Sequence, residues 1–257
     1  MPSLVGSEMC IRDRHKADVA NGSFGTGFNQ AKIITNTAFK VLFQREPTKV
    51  ESDKITSFFL NTLIVEGKNM VNAAPKTLFV FASGNDGMNN DIYPTSPTNI
   101  DADNVISVGA TYKYDFIAPF SNYGIKTVDV AAPGMLIKSQ IPGNEYLEVS
   151  GTSQAAPYVA NIAAQIKDIN PALLPKEIKR IIMGTVDEKE FLKEKVKSNG
   201  IVNMDRASYA AKICLTTDIS SAIKEARITI ADIKSSQFKS LKKFNDILPL
   251  PLLSTFK

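Results

Sequence analysis

Apolar residues along this chain fall into short, mainly apolar runs that are separated by longer stretches of helical periodicity. The clearest runs cover residues 77–82 and 105–110. Runs of this length and composition are typical of parallel strands that are covered on both faces. Residues 128–132 and a short segment after Ala17 predict two further strands, the second ending in a glycine turn.

Helical patterns occupy the stretches between and after these runs. Ser52 is a suitable N-cap for a helix that continues through residue 72. Its apolar face is predicted to comprise Ile55, Phe58, Phe59, Thr62, Leu63 and Met70. Residues 153–169 and 175–185 predict two more helices, preceded by a hairpin over residues 137–149. After Thr216, apolar residues at helical spacing predict a docked helix followed by a linker.

The alternation of strands and helices predicts a doubly wound α/β fold, with a mostly parallel sheet and helices on both faces. A length of 257 residues with 44% apolar residues can supply one large domain of this kind. Residues 1–14 show neither helical nor strand periodicity and are interpreted as a non-native leader. We therefore predict a domain over residues 15–211 and a helical tail or linker over residues 212–257.

Composition and charge exclude several classes of function. The formal net charge is only +4, and basic residues are interspersed with acids, so no nucleic-acid-binding surface is indicated. Cys10 and Cys214 lack the paired spacing of a metal site or a disulfide framework. No apolar run reaches the roughly 18 to 20 residues of a membrane span. The glycine pair Gly25 and Gly27 is too short for a phosphate-binding loop, although the fold alone still permits an unrelated small-molecule enzyme.

The most informative window places a serine in the first turn of the helix that starts near residue 153. Residues 151–160 read Gly-Thr-Ser-Gln-Ala-Ala-Pro-Tyr-Val-Ala. The unpaired N–H groups and partial positive charge of a helix N-terminus stabilise an oxyanion that forms beside such a serine. Taken alone, Ser153 could equally be an ordinary helix N-cap.

This window closely resembles the nucleophile signature of the subtilase family, Gly-Thr-Ser-Met-Ala-Ala-Pro-His-Val-Ala-Gly. The departures are Gln154, Tyr158 and Asn161. The histidine that Tyr158 replaces is not the general base of the family. The resemblance implies that Ser153 is the nucleophile of a serine endopeptidase, which cleaves polypeptide substrates through an acyl-enzyme.

Further windows follow in the family order and extend the resemblance over about residues 17–185. Residues 79–87 resemble the strand and oxyanion-hole segment, which implies that Asn85 donates to the oxyanion, although Asn-Asp-Gly is also ordinary turn chemistry. Residues 21–25 resemble the strand that pairs with substrate backbone. The implied substrate-binding residues are Ser23, Phe24 and Gly25 in one wall of the pocket and Ala82, Ser83 and Gly84 in the other.

The aspartate and histidine of the family's catalytic triad both precede the Ser-Phe-Gly strand. Their motifs, Asp-Ser/Thr-Gly and His-Gly-Thr-His, do not occur in this sequence. The single histidine, His15, is followed by Lys-Ala-Asp and is interpreted as a surface or loop residue. The resemblance therefore implies an N-terminally truncated domain whose serine lacks a base and which is nearly inert as it stands.

One other function within the family fold stays open, namely a non-catalytic domain that binds peptides or partners in the cleft. The presence of both Ser153 and Asn85 favours the enzyme. The resemblance implies no organic cofactor and allows structural calcium in the intact fold, but no metal ligands can be assigned here. It also favours a secreted or membrane-associated location, while the oligomeric state is not indicated.

Overall fold

A computed structural model describes residues 16–234 and contains nine β-strands in that part of the chain. Seven of them form one sheet, and two form a separate hairpin. The sheet strands are β1 (Val19–Gly22), β2 (Leu78–Ala82), β3 (Val105–Tyr112), β4 (Phe116–Ile117), β5 (Val130–Pro133), β8 (Asp187–Glu188) and β9 (Gly200–Ile201). The hairpin strands are β6 (Ile137–Ile141) and β7 (Glu145–Val149).

The sheet is mostly parallel. Its order is β1-β2-β3-β5-β9-β8, and the neighbours from β1 to β9 all run parallel. Only β8, which pairs with β9, and β4, which pairs with β3, are antiparallel. The predicted α/β class with a mostly parallel sheet is therefore confirmed.

The described residues also form six α-helices. They are α1 (Phe28–Phe43), α2 (Lys49–Asn72), α3 (Thr152–Ile169), α4 (Pro175–Gly184), α5 (Met204–Ile213) and α6 (Ile219–Thr229). Side chains of β2 alternate between two cores: Val80 packs in a cluster with residues of α3, whereas Phe79 packs in another cluster with Val71 of α2. Helices therefore cover both faces of the sheet, which explains why the strand is apolar at every position.

Helix α3 is the element that carries the serine window, and small side chains let it lie close to the sheet. Its buried residues recur at the spacing of one helical face. They are Thr152, Ala155, Ala156, Val159, Ile162, Ala163 and Ile166. The predicted helix is confirmed and begins one residue earlier than expected, and the predicted helix after it is confirmed as α4.

Helix α2 differs from its prediction at its start and on its buried face. Thr48 is the N-cap, and Ser52 lies inside the helix with only 4% of its surface exposed. The buried residues are Ser52, Thr56, Leu60 and Val71, while Phe58 is 75% exposed. Packing against α1 selects this face, since Thr56 and Thr35 are in hydrogen-bond contact at 3.1 Å. The predicted cap was therefore wrong, and the predicted apolar face was right only in part: Met70 packs against the cluster that contains Val71, whereas Phe58 is exposed.

Several boundaries lie close to their predicted positions. Strand β5 begins at Val130, two residues later than expected, and the predicted hairpin is confirmed as β6 and β7. The docked helix predicted after Thr216 is α6, whose Ala226 is buried in the main core. The predicted leader over residues 1–14, His15 and the tail beyond residue 234 lie outside the described residues.

Candidate active site

The candidate site lies at the carboxyl ends of two neighbouring parallel strands, where open α/β sheets bind their ligands. Strand β1 leads into Ser23, and β2 leads through Ser83 and Gly84 to Asn85. The N-terminus of α3 points to the same place and brings Ser153. Together these segments border a pocket of about 320 Å³.

Ser153 is the second residue of α3 and is held by two contacts with Ser23. The Ser23 hydroxyl donates to the Ser153 carbonyl at 2.9 Å, and the Ser153 hydroxyl donates to the Ser23 carbonyl at 3.3 Å. The Ser153 carbonyl is free to accept because Pro157, four residues later, has no N–H to offer it. Pro157 therefore allows the segment after β1 to form a hydrogen bond with the first turn of α3, which carries Ser153.

Asn85 is oriented by the residue before the serine. Its side-chain oxygen accepts from the Thr152 N–H at 2.8 Å and from the Thr152 hydroxyl at 3.0 Å. With the oxygen held in this way, the amide nitrogen Nδ2 is the free end of the side chain. Within residues 16–234, neither Asn85 Nδ2 nor the Ser153 N–H has a protein acceptor. Two donors at one pocket are therefore available to a ligand oxygen.

A buried asparagine supports the loop that presents Asn85. The side-chain oxygen of Asn122 accepts from the N–H groups of Asp86 and Met88 at 2.9 and 3.1 Å. Gly84 packs directly against Asn122: its φ is +108°, and a Cβ there would lie 2.5 Å from Asn122 Nδ2. A side chain at position 84 would therefore be both strained and in collision with this support.

The first predicted wall, Ser23, Phe24 and Gly25, lies along the pocket. The Phe24 ring is 44% exposed and contacts Phe81 edge-on, with ring centroids 6.4 Å apart. Gly25 passes close to backbone on the far side, since a Cβ there would lie 2.7 Å from the Ser96 carbonyl oxygen. The position of this wall is therefore fixed by its close packing against the backbone at Ser96.

The second predicted wall is only partly at the pocket surface. Ala82 and Gly84 line the pocket, together with Asn85. Ser83 does not, because its side chain is fully buried and its hydroxyl donates to the Asn122 carbonyl at 3.0 Å. Ser83 therefore holds the second wall in place through a buried hydrogen bond.

Five residues that line the pocket were not predicted as site residues from the sequence, namely Gly27, Gln30, Asp86, Thr95 and Thr152. Asp86 follows Asn85 directly and could have been inferred from that neighbour. Gln30 enters from the first turn of α1, and Thr95 from the loop between β2 and β3. Only the folded chain brings these two positions to the pocket.

The described residues offer Ser153 no imidazole, since the sequence has no histidine between residues 16 and 234. In that range no group of three or more histidine, cysteine, aspartate or glutamate side chains is arranged to hold a metal ion. None of the helices in the same range is long and apolar enough to cross a bilayer.

A comparison with protein-family models matches residues 4–207 to the subtilase family. The cell wall-associated protease of Bacillus subtilis is 42% identical over 114 residues, which are 44% of this chain and 12% of that protein. Subtilisin BL of Lederbergia lenta is 34% identical over 131 residues, which are 51% of this chain and 46% of that protein. The chain thus spans less than half of the length of either relative.

Solved structures show the same architecture. A protease of Pseudoalteromonas arctica PAMC 21717 superposes with a TM-score of 0.51 and 27% identity, covering 76% of this chain and 51% of that one. A cold-adapted subtilisin-like serine proteinase superposes with a TM-score of 0.52 over 76% of this chain and 58% of that one. Its 24% identity supports the fold alone.

Proposed function

This chain belongs to the subtilase family, and from that premise we propose that it carries the nucleophile of a serine endopeptidase. The observation that supports this most directly is the shared pocket of Ser153 and Asn85 at the N-terminus of α3. Polypeptides are the proposed substrates. The two walls beside Ser153 are proposed to hold the residues on the amino side of the cleaved bond.

In the proposed reaction, Ser153 Oγ bonds to the peptide carbonyl carbon, and its proton passes to a general base. The carbonyl oxygen becomes an oxyanion, which Asn85 Nδ2 and the Ser153 N–H stabilise as donors in the pocket. The C–N bond then breaks as the base returns the proton to the leaving amine. Water then takes the place of the amine: its oxygen bonds to the acyl carbon as the base removes a proton, and the ester bond to Ser153 breaks as the base returns that proton to Ser153 Oγ.

We propose that the base and its aspartate partner come from a part of the gene product other than residues 16–234. The absence of histidine from this range and the missing triad motifs support this. The serine hydroxyl here donates to the Ser23 carbonyl, which cannot take up its proton at neutral pH. We therefore expect the 257-residue chain alone to be nearly inactive, since loss of the triad histidine in subtilisin lowers turnover by about 10⁶.

The same observation favours a second candidate function, a domain that binds peptides in this pocket without cleaving them. Binding needs the two walls and the two donors but no general base. The two functions differ in one property, which is the reactivity of the Ser153 hydroxyl.

Labelling with a fluorophosphonate measures that reactivity, because the serine oxygen attacks phosphorus and displaces fluoride. The full-length gene product is expected to label, and the Ser153→Ala variant is not. Sequencing the gene upstream of the Lys16 codon should show in-frame Asp-Ser/Thr-Gly and His-Gly-Thr-His motifs. A full-length product that folds but does not label, or an upstream region without either motif, would refute the endopeptidase and favour the binding domain.

A further inference from the structure

Helix α1 carries apolar side chains on its exposed side as well as on its buried side. The buried side packs through Ala31 and Phe39. The residues of the exposed side, which we call the outer face of α1, are Ile33, Ile34, Thr37, Ala38, Val41 and Leu42. A surface helix ordinarily has charged or polar residues in these positions. The outer face is therefore suited to contact with another molecule.

The outer face contains no charge and no unpaired polar side chain. Thr37 is its single polar residue, and the Thr37 hydroxyl donates to the Ile33 carbonyl of the same helix at 2.8 Å. The two lysines of α1 are its only charged residues, and they form ion pairs with Asp53 and Glu46. The face can therefore be buried without desolvating a free charge or losing a hydrogen bond. An apolar partner is favoured over a nucleic acid, an anionic lipid surface or an acidic protein.

Small and larger residues follow a symmetrical order along the outer face. Its centre is formed by two small residues, Thr37 and Ala38. A pair of larger residues lies at the same spacing on each side of this centre, namely Ile33 with Ile34 and Val41 with Leu42. The face thus consists of two ridges of residues four positions apart, each with a low centre. Such a face is complementary to itself when two copies cross antiparallel at the small residues.

A two-fold axis at this crossing brings the larger residues of the two copies together. Ile33 of one copy then meets Leu42 of the second copy, and Ile34 meets Val41. Every such contact occurs twice, as in any isologous interface. The small residues at the crossing point allow the two helix axes to approach closely. The symmetry of the sequence therefore points to a second copy of this chain as the partner.

We propose that the outer face of α1 is an interface between two copies of this chain, which pair antiparallel about a two-fold axis at Thr37 and Ala38. A single pair of helices buries less than the roughly 800 Å² per partner of a standard interface, so we expect a weak dimer with a Kd of about 10 μM. The inference does not rest on the proposed function, because neither Ser153 nor Asn85 belongs to this face.

Sedimentation equilibrium of the 257-residue chain measures the dimer, and two charge substitutions test how the copies pair. Ile33→Glu and Leu42→Lys each bury an unpaired charge, so each variant alone should dimerise at least about tenfold more weakly. An equimolar mixture of the two variants should recover the original affinity to within about threefold. In the mixed dimer, one contact joins the two introduced charges, and its symmetry mate is the original apolar contact.

Ile228→Lys is the matched control, since Ile228 of α6 is 78% exposed and Leu42 is 76% exposed. This variant should dimerise as the original chain does, and circular dichroism should show the same folded state for all variants. A monomeric chain, a dimer that both charge variants retain, or a mixture that stays monomeric would overturn the proposal.

The full-length gene product tests whether another segment covers the outer face instead. It should also be a dimer that Leu42→Lys weakens. A monomeric full-length product would show that a different part of the gene product occupies this face, and it would overturn the proposal as well. Fluorophosphonate labelling of Ser153 tests the endopeptidase separately, so failure of the interface is distinct from failure of the proposed function.

Discussion

At the scale of single residues, the candidate site depends on hydrogen bonds between different segments of the chain. One of its backbone carbonyls lacks the usual partner within its own helix. Pro157 leaves the Ser153 carbonyl without a helical donor, and the Ser23 hydroxyl takes that place at 2.9 Å. Thr152 holds the oxygen of Asn85 with its N–H and its hydroxyl. The orientation of the Asn85 amide is therefore set by Thr152, the residue before the proposed nucleophile.

Removing the Asn85 amide should slow the chemical step more than it weakens substrate binding. In the full-length product, Asn85→Ala is expected to lower kcat by about 10² to 10³, the effect of losing one oxyanion donor in subtilisin, which belongs to the same family. Thr152→Val should lower kcat less, because the Thr152 N–H still holds the asparagine. Steady-state kinetics measures both; a rise in KM with an unchanged kcat would show that Asn85 acts only in binding.

At the scale of elements, the start of α2 is defined by a capping box that the sequence prediction did not identify. The Thr48 hydroxyl accepts from the Glu51 N–H at 3.3 Å, and the Glu51 carboxylate accepts from the Thr48 N–H at 2.8 Å. Arg45 also donates to this carboxylate. These contacts, with Arg45 the largest cause, lower the pKa of Glu51 from 4.5 to about 2.

This shift predicts a pH-dependent contribution of Glu51 to the stability of α2. Because the folded-state pKa is lowered, the contribution is present above pH 4.5 and is lost as the pH falls towards about 2. Glu51→Gln should therefore lower Tm slightly at pH 7 and have little effect near pH 2. Thermal unfolding monitored by circular dichroism measures this difference. A Tm difference that is the same at both pH values would contradict the assignment.

At the scale of the whole molecule, one buried arginine joins three distant parts of the chain. Arg206 of α5 is 3% exposed and forms ion pairs with Asp187 of β8 at 3.0 Å and with Asp232, beyond α6, at 2.6 Å. It also donates to the Ile230 carbonyl. Burial raises the pKa of the Asp187 carboxyl, against the opposing effects of its hydrogen bonds and of Arg206. The segment after α6 is therefore held to the domain by charge.

Arg206→Met should destabilise the chain by about 3–5 kcal/mol, because it leaves the Asp187 carboxylate buried without its cation. The pKa of Asp187 should then rise further, so the folded variant binds a proton more readily and the loss should be smaller at an acidic pH than at a neutral pH. Urea unfolding at both pH values tests this. Arg227→Met, which removes an exposed ion pair with Glu188, is the control and should cost about 0–1 kcal/mol. Equal costs for the two variants would show that the Arg206 cluster is no stronger than a surface pair.

The sequence itself largely determined the strands and helices of this protein, and it also predicted the candidate site residues. The apolar runs of β2 and β3 and the alanine-rich pattern of α3 are local, because strand and helix propensities depend on neighbouring residues. Ser153 and Asn85 were predicted as site residues because the contiguous windows that contain them resemble motifs of the subtilase family. The structure places both at one pocket, whose walls include Ser23, Phe24 and Gly25.

The tertiary structure alone decided which faces are buried and which side chains meet. Helix α2 has apolar residues on more than one side, and the fold buries Leu60 and leaves Phe58 exposed. Ser83 is consecutive with pocket residues, yet its side chain is directed into the core. Gln30 precedes α2 in the sequence and Thr95 follows it, yet both residues line the pocket. Such contacts join residues tens of positions apart, so their free energies are set by packing partners that no local pattern specifies.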